Sequence, residues 1–148
     1  MLVIPPFNQD GNLPAGLHPC SWPEFVNVFS WSQQRKWLIA GLERALHSLK
    51  DAGCVRVFVD GSFVTRKDDP GDYDGCWEAA GVDPLKLDPV LLTFDPGRVA
   101  QRTKYRGEFF PAHGLADGKT GKRYMEFFQQ DKDGKAKGLV ALDLGSLP

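Results

Sequence analysis

Apolar residues recur at helical spacing between Ser32 and Gly53, with Leu38, Leu42, Ala45, Leu46 and Leu49 on one face. This predicts an amphipathic helix capped by Ser32 and ended by Gly53, with Arg35, Lys36 and Arg44 lying off the apolar stripe and His47 at the surface. Upstream, Ser21-Trp-Pro-Glu24 has the form of a helix start: Ser21 caps, Pro23 sits in the first turn and Glu24 closes a capping box, so a short helix should run to about Phe29. From Val55 the period changes to two. Val55, Val57 and Val59 should share the core face of a strand that runs into Gly61-Ser62. After a polar loop containing Pro70 and Gly71, a second strand is expected to carry Asp72 and Asp74 on one face. Tyr73 and Trp77 would then pack on the opposite face, and Cys76 would follow the aspartates on theirs.

The second half is patterned less regularly. Asp83-Pro84 opens an expected helix with Leu87, Val90, Leu91 and Phe94 at helical spacing. Asp95-Pro96 opens another, which would align Arg98, Arg102 and Arg106 at steps of four. Such a stripe suits a triphosphate or RNA phosphates and equally suits a solvated face. Glu108-Phe-Phe-Pro-Ala112 is where a third strand could return beside the first two. Tyr124 to Gln130 fits either a strand or a short helix, and the turn at Asp133-Gly134 introduces a last apolar strand from Leu139 to Leu144, interrupted by Asp143. Residues 1–20, rich in Pro, Gly and Asn, read as an extended arm, in which His18 is a packed or surface histidine. The sum is a single domain over residues 1–148, a small α/β fold with a mixed sheet flanked by helices.

Composition adds exclusions. The chain has 148 residues, 42% of them hydrophobic and 25% charged, which is ordinary for one globular domain. No apolar run approaches a membrane span, and Met1-Leu-Val-Ile-Pro-Pro6 is short and free of basic residues, unlike a signal peptide. Cys20, Cys54 and Cys76 are odd in number and have neither metal-ligand nor redox spacing, so reduced core thiols and a cytoplasmic location are expected. The formal charge of −1 hides an asymmetry, since residues 1–95 carry 8 basic and 13 acidic side chains and residues 96–148 carry 10 and 6. The basic part could face an anionic substrate.

The candidate chemistry lies in Asp60-Gly-Ser-Phe-Val-Thr-Arg-Lys-Asp-Asp-Pro-Gly-Asp-Tyr-Asp74. Gly61 lets the backbone approach a phosphate with no Cβ in the way, and Ser62 adds a hydroxyl and an N–H. Two carboxylates one residue apart on a strand stand roughly 6.6 Å apart, a separation at which they can grip one or two hard divalent cations. Gly114-Leu-Ala-Asp-Gly-Lys-Thr120 imitates a phosphate-binding P-loop but has one residue too few between its glycines and no strand leading in. It reads as a loop, with Lys119, Lys122 and Arg123 open to a substrate and His113 at its start.

Gly-Ser followed after a short gap by Asp-x-Asp resembles the signature of the nucleotidyltransferase superfamily. The whole run 60–74, with Leu13-Pro-Ala-Gly-Leu-His18 and Lys137-Gly-Leu-Val-Ala-Leu-Asp-Leu144, is similar to a family of small bacterial proteins of uncharacterised function with a predicted nucleotidyltransferase fold. The resemblance implies that Asp72 and Asp74 hold Mg²⁺ (or Mn²⁺), and that a nucleoside triphosphate is bound by Gly61, Ser62, Thr65, Lys67 and Arg102. It also implies a third carboxylate from a later strand, for which Glu108 leads and Glu126 and Asp143 stay open. Arg66 and Lys67, in the loop between, could neutralise charge on the leaving pyrophosphate and are equally compatible with simple solvent exposure. Its implied partners are a tRNA or protein acceptor and, for a toxin of a toxin–antitoxin or phage-defence pair, a cognate antitoxin. A catalytically silent binding module and an antitoxin that adenylylates a partner toxin remain as alternatives.

Overall fold

The structure, a computed structural model, describes residues 4–130 and 133–148; Met1 to Val3, the start of the predicted arm, lie outside them. Both N-terminal helices begin where their caps place them. In α1 (Trp22–Phe29) the Ser21 hydroxyl accepts from the Glu24 N–H, and in α2 (Gln33–Asp51) the Ser32 hydroxyl accepts from the Arg35 N–H. The capping box at α1 is only half made, because the Glu24 carboxylate instead accepts from the Ile4 N–H and ties down the arm. Gly53, at φ 102°, turns the chain out of α2 and into the sheet.

Five strands form one mixed sheet in the order β1-β5-β2-β3-β4: β1 (Leu17–Cys20), β2 (Arg56–Asp60), β3 (Asp74–Trp77), β4 (Glu108–Pro111) and β5 (Leu139–Asp143). The central three, β5, β2 and β3, are antiparallel, and the two edges join in parallel. This establishes the α/β class. The arm does not merely lie over the domain: its end becomes the edge strand β1 beside β5.

Alternation along the strands divides the core in two. Val57, Val59, Tyr73, Trp77 and Phe109 face α1 and α2, where Phe25, Phe29, Leu38, Leu42 and Leu46 are buried against them. Phe58, Cys76, Phe110 and Ala141 face the other way, toward Tyr124, Met125 and Phe128 around the one-turn helix α4 (Tyr124–Phe127). Tyr73 and Trp77 thus pack on the helices as their spacing predicts, and all three cysteines are free and buried.

Four expectations fail. Val55 lies before β2 and is 59% exposed, so the core face of that strand is Val57 and Val59 alone. β3 begins at Asp74, leaving Asp72 in the approach to the strand. Arg35 is on the apolar stripe of α2, three residues before Leu38 and seven before Leu42, and is completely buried. The two helices expected over 83–106 are mostly absent: Pro89, which lacks an N–H, cannot continue a helix begun at Pro84, and only a 3-10 turn forms over Pro89–Leu92. Leu87 and Leu91 are nonetheless buried. Positive φ at Gly97 and Arg98 delays α3 to Val99–Tyr105, and Arg106, also at positive φ, closes it. Arg98 and Arg106 therefore flank that helix, and the arginine stripe does not exist. Among the described residues, no helix is long and apolar enough to cross a membrane.

Candidate functional site

Register places three acids on one rung. Asp60 pairs with Asp74 across β2 and β3, and Asp74 pairs with Glu108 across β3 and β4. Directly paired residues point to the same side of a sheet, with strands roughly 4.8 Å apart, so three carboxyl groups stand in a row at one sheet end. Asp72, two residues before Asp74, joins them from outside the strand. Arg102 on α3 spans two of the four: one guanidinium nitrogen is 2.9 Å from Asp72 Oδ2 and 2.6 Å from Glu108 Oε1, and its Nε donates to the same Glu108 oxygen at 2.9 Å.

The turn meets this row at Asp74. Gly61 has φ 85° and ψ −167°, a conformation essentially confined to glycine, and a Cβ placed there would lie 2.7 Å from Asp74 Oδ2. Only a glycine lets the turn approach that carboxylate so closely. The Thr65 hydroxyl donates to the Ser62 carbonyl at 2.6 Å and closes the 3-10 turn Ser62–Val64.

Arg35 fixes the same turn from below. Its guanidinium donates five hydrogen bonds, to the carbonyls of Phe29, Phe63 and Thr65 and twice to that of Lys67, which is its full donor complement. It stacks 3.6 Å from the centre of the Trp31 ring. Burial lowers its pKa to about 10, so it stays charged at neutral pH.

The electrostatics follow from burial. Burial, reinforced by Asp60, Asp72 and Glu108, pushes Asp74 up to about 8. Burial likewise pushes Asp60 up to about 6 against the pull of Lys137, and raises Asp72 against that of Arg102. Cys76, fully buried beneath the carboxylates, is raised strongly by burial and then by Asp60 and Asp74, so its thiol stays protonated and does not line the site.

A cleft of about 390 Å³ opens beside the turn. It is lined by Gly61, Ser62 and Thr65 with Asn12, by Asp74 and Lys137, and by Phe127, Phe128 and Gln130. Of the predicted site residues, Asp72, Asp74, Glu108, Gly61, Ser62, Thr65 and Arg102 come together. Lys67 does not line the cleft; its side chain is exposed and its carbonyl serves Arg35. Arg66 donates to the Asn8 carbonyl. Glu126 is taken up in capping α4, where it accepts from the Arg123 N–H. Asp143 pairs with Arg56, at the opposite end of the sheet from Asp60 and Asp74, and accepts from the Gly145 N–H. Neither stands at the carboxylate row. Lys122 reaches Gln130, and His113 is an exposed loop residue.

Asp60, Lys137 and Arg35 were not singled out by sequence reasoning. For Asp60 a signal existed, since Phe58 and Asp60 share a face by the period of two that defined the strand.

Among the described residues, no three His, Cys, Asp or Glu side chains are grouped to hold a metal ion unaided. Hard oxygen donors from two carboxylates nonetheless fit Mg²⁺, which commonly takes one or two protein carboxylates and fills its shell with water and substrate phosphate. Residues 5–143 match a protein family described as a family of unknown function (DUF6932), and the chain belongs to that family. No curated protein and no solved structure matches it.

Proposed function

Membership of a family without a known function leaves the site itself as the premise, and we propose that this sheet end binds a nucleoside triphosphate with a divalent cation and transfers its nucleotidyl group to a hydroxyl of RNA, tRNA foremost, or of a protein. The observation that carries this reading is the contact between the Gly61 turn and Asp74, which both line one cleft, with Glu108 paired to Asp74 across the sheet and Asp72 bridged to Glu108 by Arg102. In its support, the cleft falls in the size range of small-ligand sites, and Phe127 and Phe128 put aromatic rings in its wall, against which a base could pack.

Asp72 and Asp74 would hold Mg²⁺ or Mn²⁺, which when bound neutralises triphosphate charge and acidifies an attacking hydroxyl. Gly61 and Ser62 receive the phosphates. The acceptor oxygen attacks the α-phosphorus in line, its proton passes to a carboxylate, for which Glu108 is best placed, and the bond to the bridging oxygen breaks as pyrophosphate leaves. Arg102 orients Glu108 and Asp72. One observation favours a second reading: Arg102 already satisfies both carboxylates, as it would in a silent module that binds a nucleotide or partner without reaction.

By analogy with other small nucleotidyltransferase-like proteins, the activity is that of a toxin in a toxin–antitoxin or phage-defence pair. Leu85, 94% exposed, and the half-exposed Leu92 and Phe94 supply apolar surface for a cognate antitoxin. Incubation of the protein with Mg²⁺, α-³²P-labelled triphosphates and cellular RNA or protein tests the reaction, and label on either acceptor is the expected result. Expression in a bacterial host tests the role: a toxin arrests growth, whereas an antitoxin leaves growth intact and labels only its partner toxin. No label on any acceptor, with nucleotide still bound, favours the silent module.

A further inference from the structure

The most deeply buried carboxylate of the row has two unsatisfied oxygens. Asp60 is 0% exposed, and among the described residues neither of its oxygens receives a well-directed hydrogen bond. Its charge is met by Lys137, whose Nζ lies 3.2 Å from Oδ1. A largely buried ion pair of this kind is a poor device for stability, because replacing both partners with apolar residues is often neutral or favourable.

Lys137 differs from its partner in facing the ligand side. Its side chain is 16% exposed and it lines the cleft with Gly61, Ser62 and Thr65. Among the described residues it is the basic one that lines the cleft; Arg66 reaches the Asn8 carbonyl instead, and the Lys67 side chain is exposed outside it. Its backbone is pinned: the Lys137 N–H donates to Gln129, the Gly138 N–H to Leu13 and the Leu139 N–H to Gly16. A Cβ at Gly138 would lie 2.8 Å from His18 Nε2, so the strand entry packs directly on the arm. A long side chain rising from a fixed backbone and tethered at its tip has already lost most of the rotamer freedom that binding would otherwise take from it.

We infer that Lys137 is the cation that takes the terminal phosphates of a polyphosphate ligand over the Gly61–Ser62 turn, and that Asp60 is a positioning residue that holds the ammonium at the cleft. This rests on the nucleotide reading of the same cleft and names the group that reads its phosphates. The assignment replaces Arg66 and Lys67 in that role.

Calorimetric titration of the full chain in Mg²⁺ with inorganic tripolyphosphate and, separately, ATP tests it. Lys137→Gln should weaken tripolyphosphate binding about tenfold or more, the scale of one charge-assisted hydrogen bond, while Lys137→Arg retains it. Because Lys137→Gln strands Asp60, the double change Asp60→Asn with Lys137→Gln is measured beside it; it should melt as a folded protein and bind as weakly. Asp60→Asn alone separates positioning from simple charge. Loss of a nearby anion would by itself tighten anion binding, whereas loss of positioning weakens it, and tighter binding would remove Asp60 from the assignment. ATP bound equally well by wild type and Lys137→Gln overturns the inference and leaves the nucleotide reading intact. Tripolyphosphate bound through Lys137 with no preference for ATP sustains the inference and overturns the nucleotide reading. Binding of neither ligand by the wild type overturns both.

Discussion

Arg35 and Asp60 are both shielded completely from water, and they flank the same turn, yet their surroundings treat them in opposite ways. Arg35 spends every donor on backbone carbonyls and stacks on Trp31. Asp60 has unsatisfied oxygens, one lysine beside it and another carboxyl directly across the ladder. The first arrangement is that of a rivet: it ties α2 to the carbonyls of Phe63, Thr65 and Lys67 and so holds the turn rigid. The second is strained electrostatically, and its strain points into the cleft. Equal burial therefore says little until the hydrogen-bond partners are counted.

If that contrast is right, the largest effect on stability belongs to Arg35. Arg35→Met keeps the apolar stem and strands several buried carbonyls, so urea melts should show a loss of about 3–5 kcal/mol. A loss below about 1 kcal/mol would reduce Arg35 to an ordinary contact.

The next effect is on pH dependence, measured without divalent cations. Asp74 and Asp60 have folded-state pKa values of about 8 and about 6, above the ordinary carboxylate value. Over pH 4 to 8 the folded state therefore binds more protons than the unfolded one. Their contribution is most favourable near or below pH 4 and is lost as pH rises through about 6 and then about 8. Between pH 6 and 8 Asp74 should contribute a slope approaching about −1.4 kcal/mol per pH unit, the limit for one proton. Asp74→Asn should abolish it, and Arg35, whose proton leaves only near pH 10, takes no part. An unchanged slope in Asp74→Asn would mean that the row is not held in low dielectric.

The smallest effect on stability, and a large one on rate, is expected at Glu108. Its ion pair with Arg102 is partly solvated, so Glu108→Gln should cost less than about 1 kcal/mol in a melt. Nucleotide binding should survive while label transfer falls about a hundredfold, equivalent to about 2.7 kcal/mol of barrier. Unchanged transfer would remove Glu108 from the reaction.

Much of this was legible in local signals. Ser21 and Ser32 announced their helices, Gly53 ended α2, and alternation around Gly61 and Asp74 gave strand, turn and strand. The return of Glu108 to Ala112 to the sheet was legible too, whereas the choice of Glu108 as third carboxylate came from the family resemblance. What stayed hidden depended on partners that carry no side-chain signal. Arg35 is satisfied by loop carbonyls, which any sequence supplies, although its spacing from Leu38 and Leu42 did mark its face. The arm became β1 only because β5 offered a free edge. The stretch from 83 to 106 was misread where helical spacing of Leu87 and Leu91 outweighed Pro89, whose missing N–H decided the outcome. Lys137 could not be connected to Asp60 from spacing at all, since 77 positions separate them.

The central claim is that the Gly61 turn and the carboxylate row form one site for a metal–nucleotide complex. Thermal melts of the full chain with Mg²⁺ or Mn²⁺ and a nucleoside triphosphate, compared with each component alone, test it most directly. A ligand at a hundred times its Kd stabilises the folded state by about 2.7 kcal/mol, which should raise the wild-type Tm by several degrees only when cation and nucleotide are both present. Asp72→Asn with Asp74→Asn should remain folded and lose that rise. A full rise retained in the double variant, or none in the wild type with any triphosphate, would contradict the account.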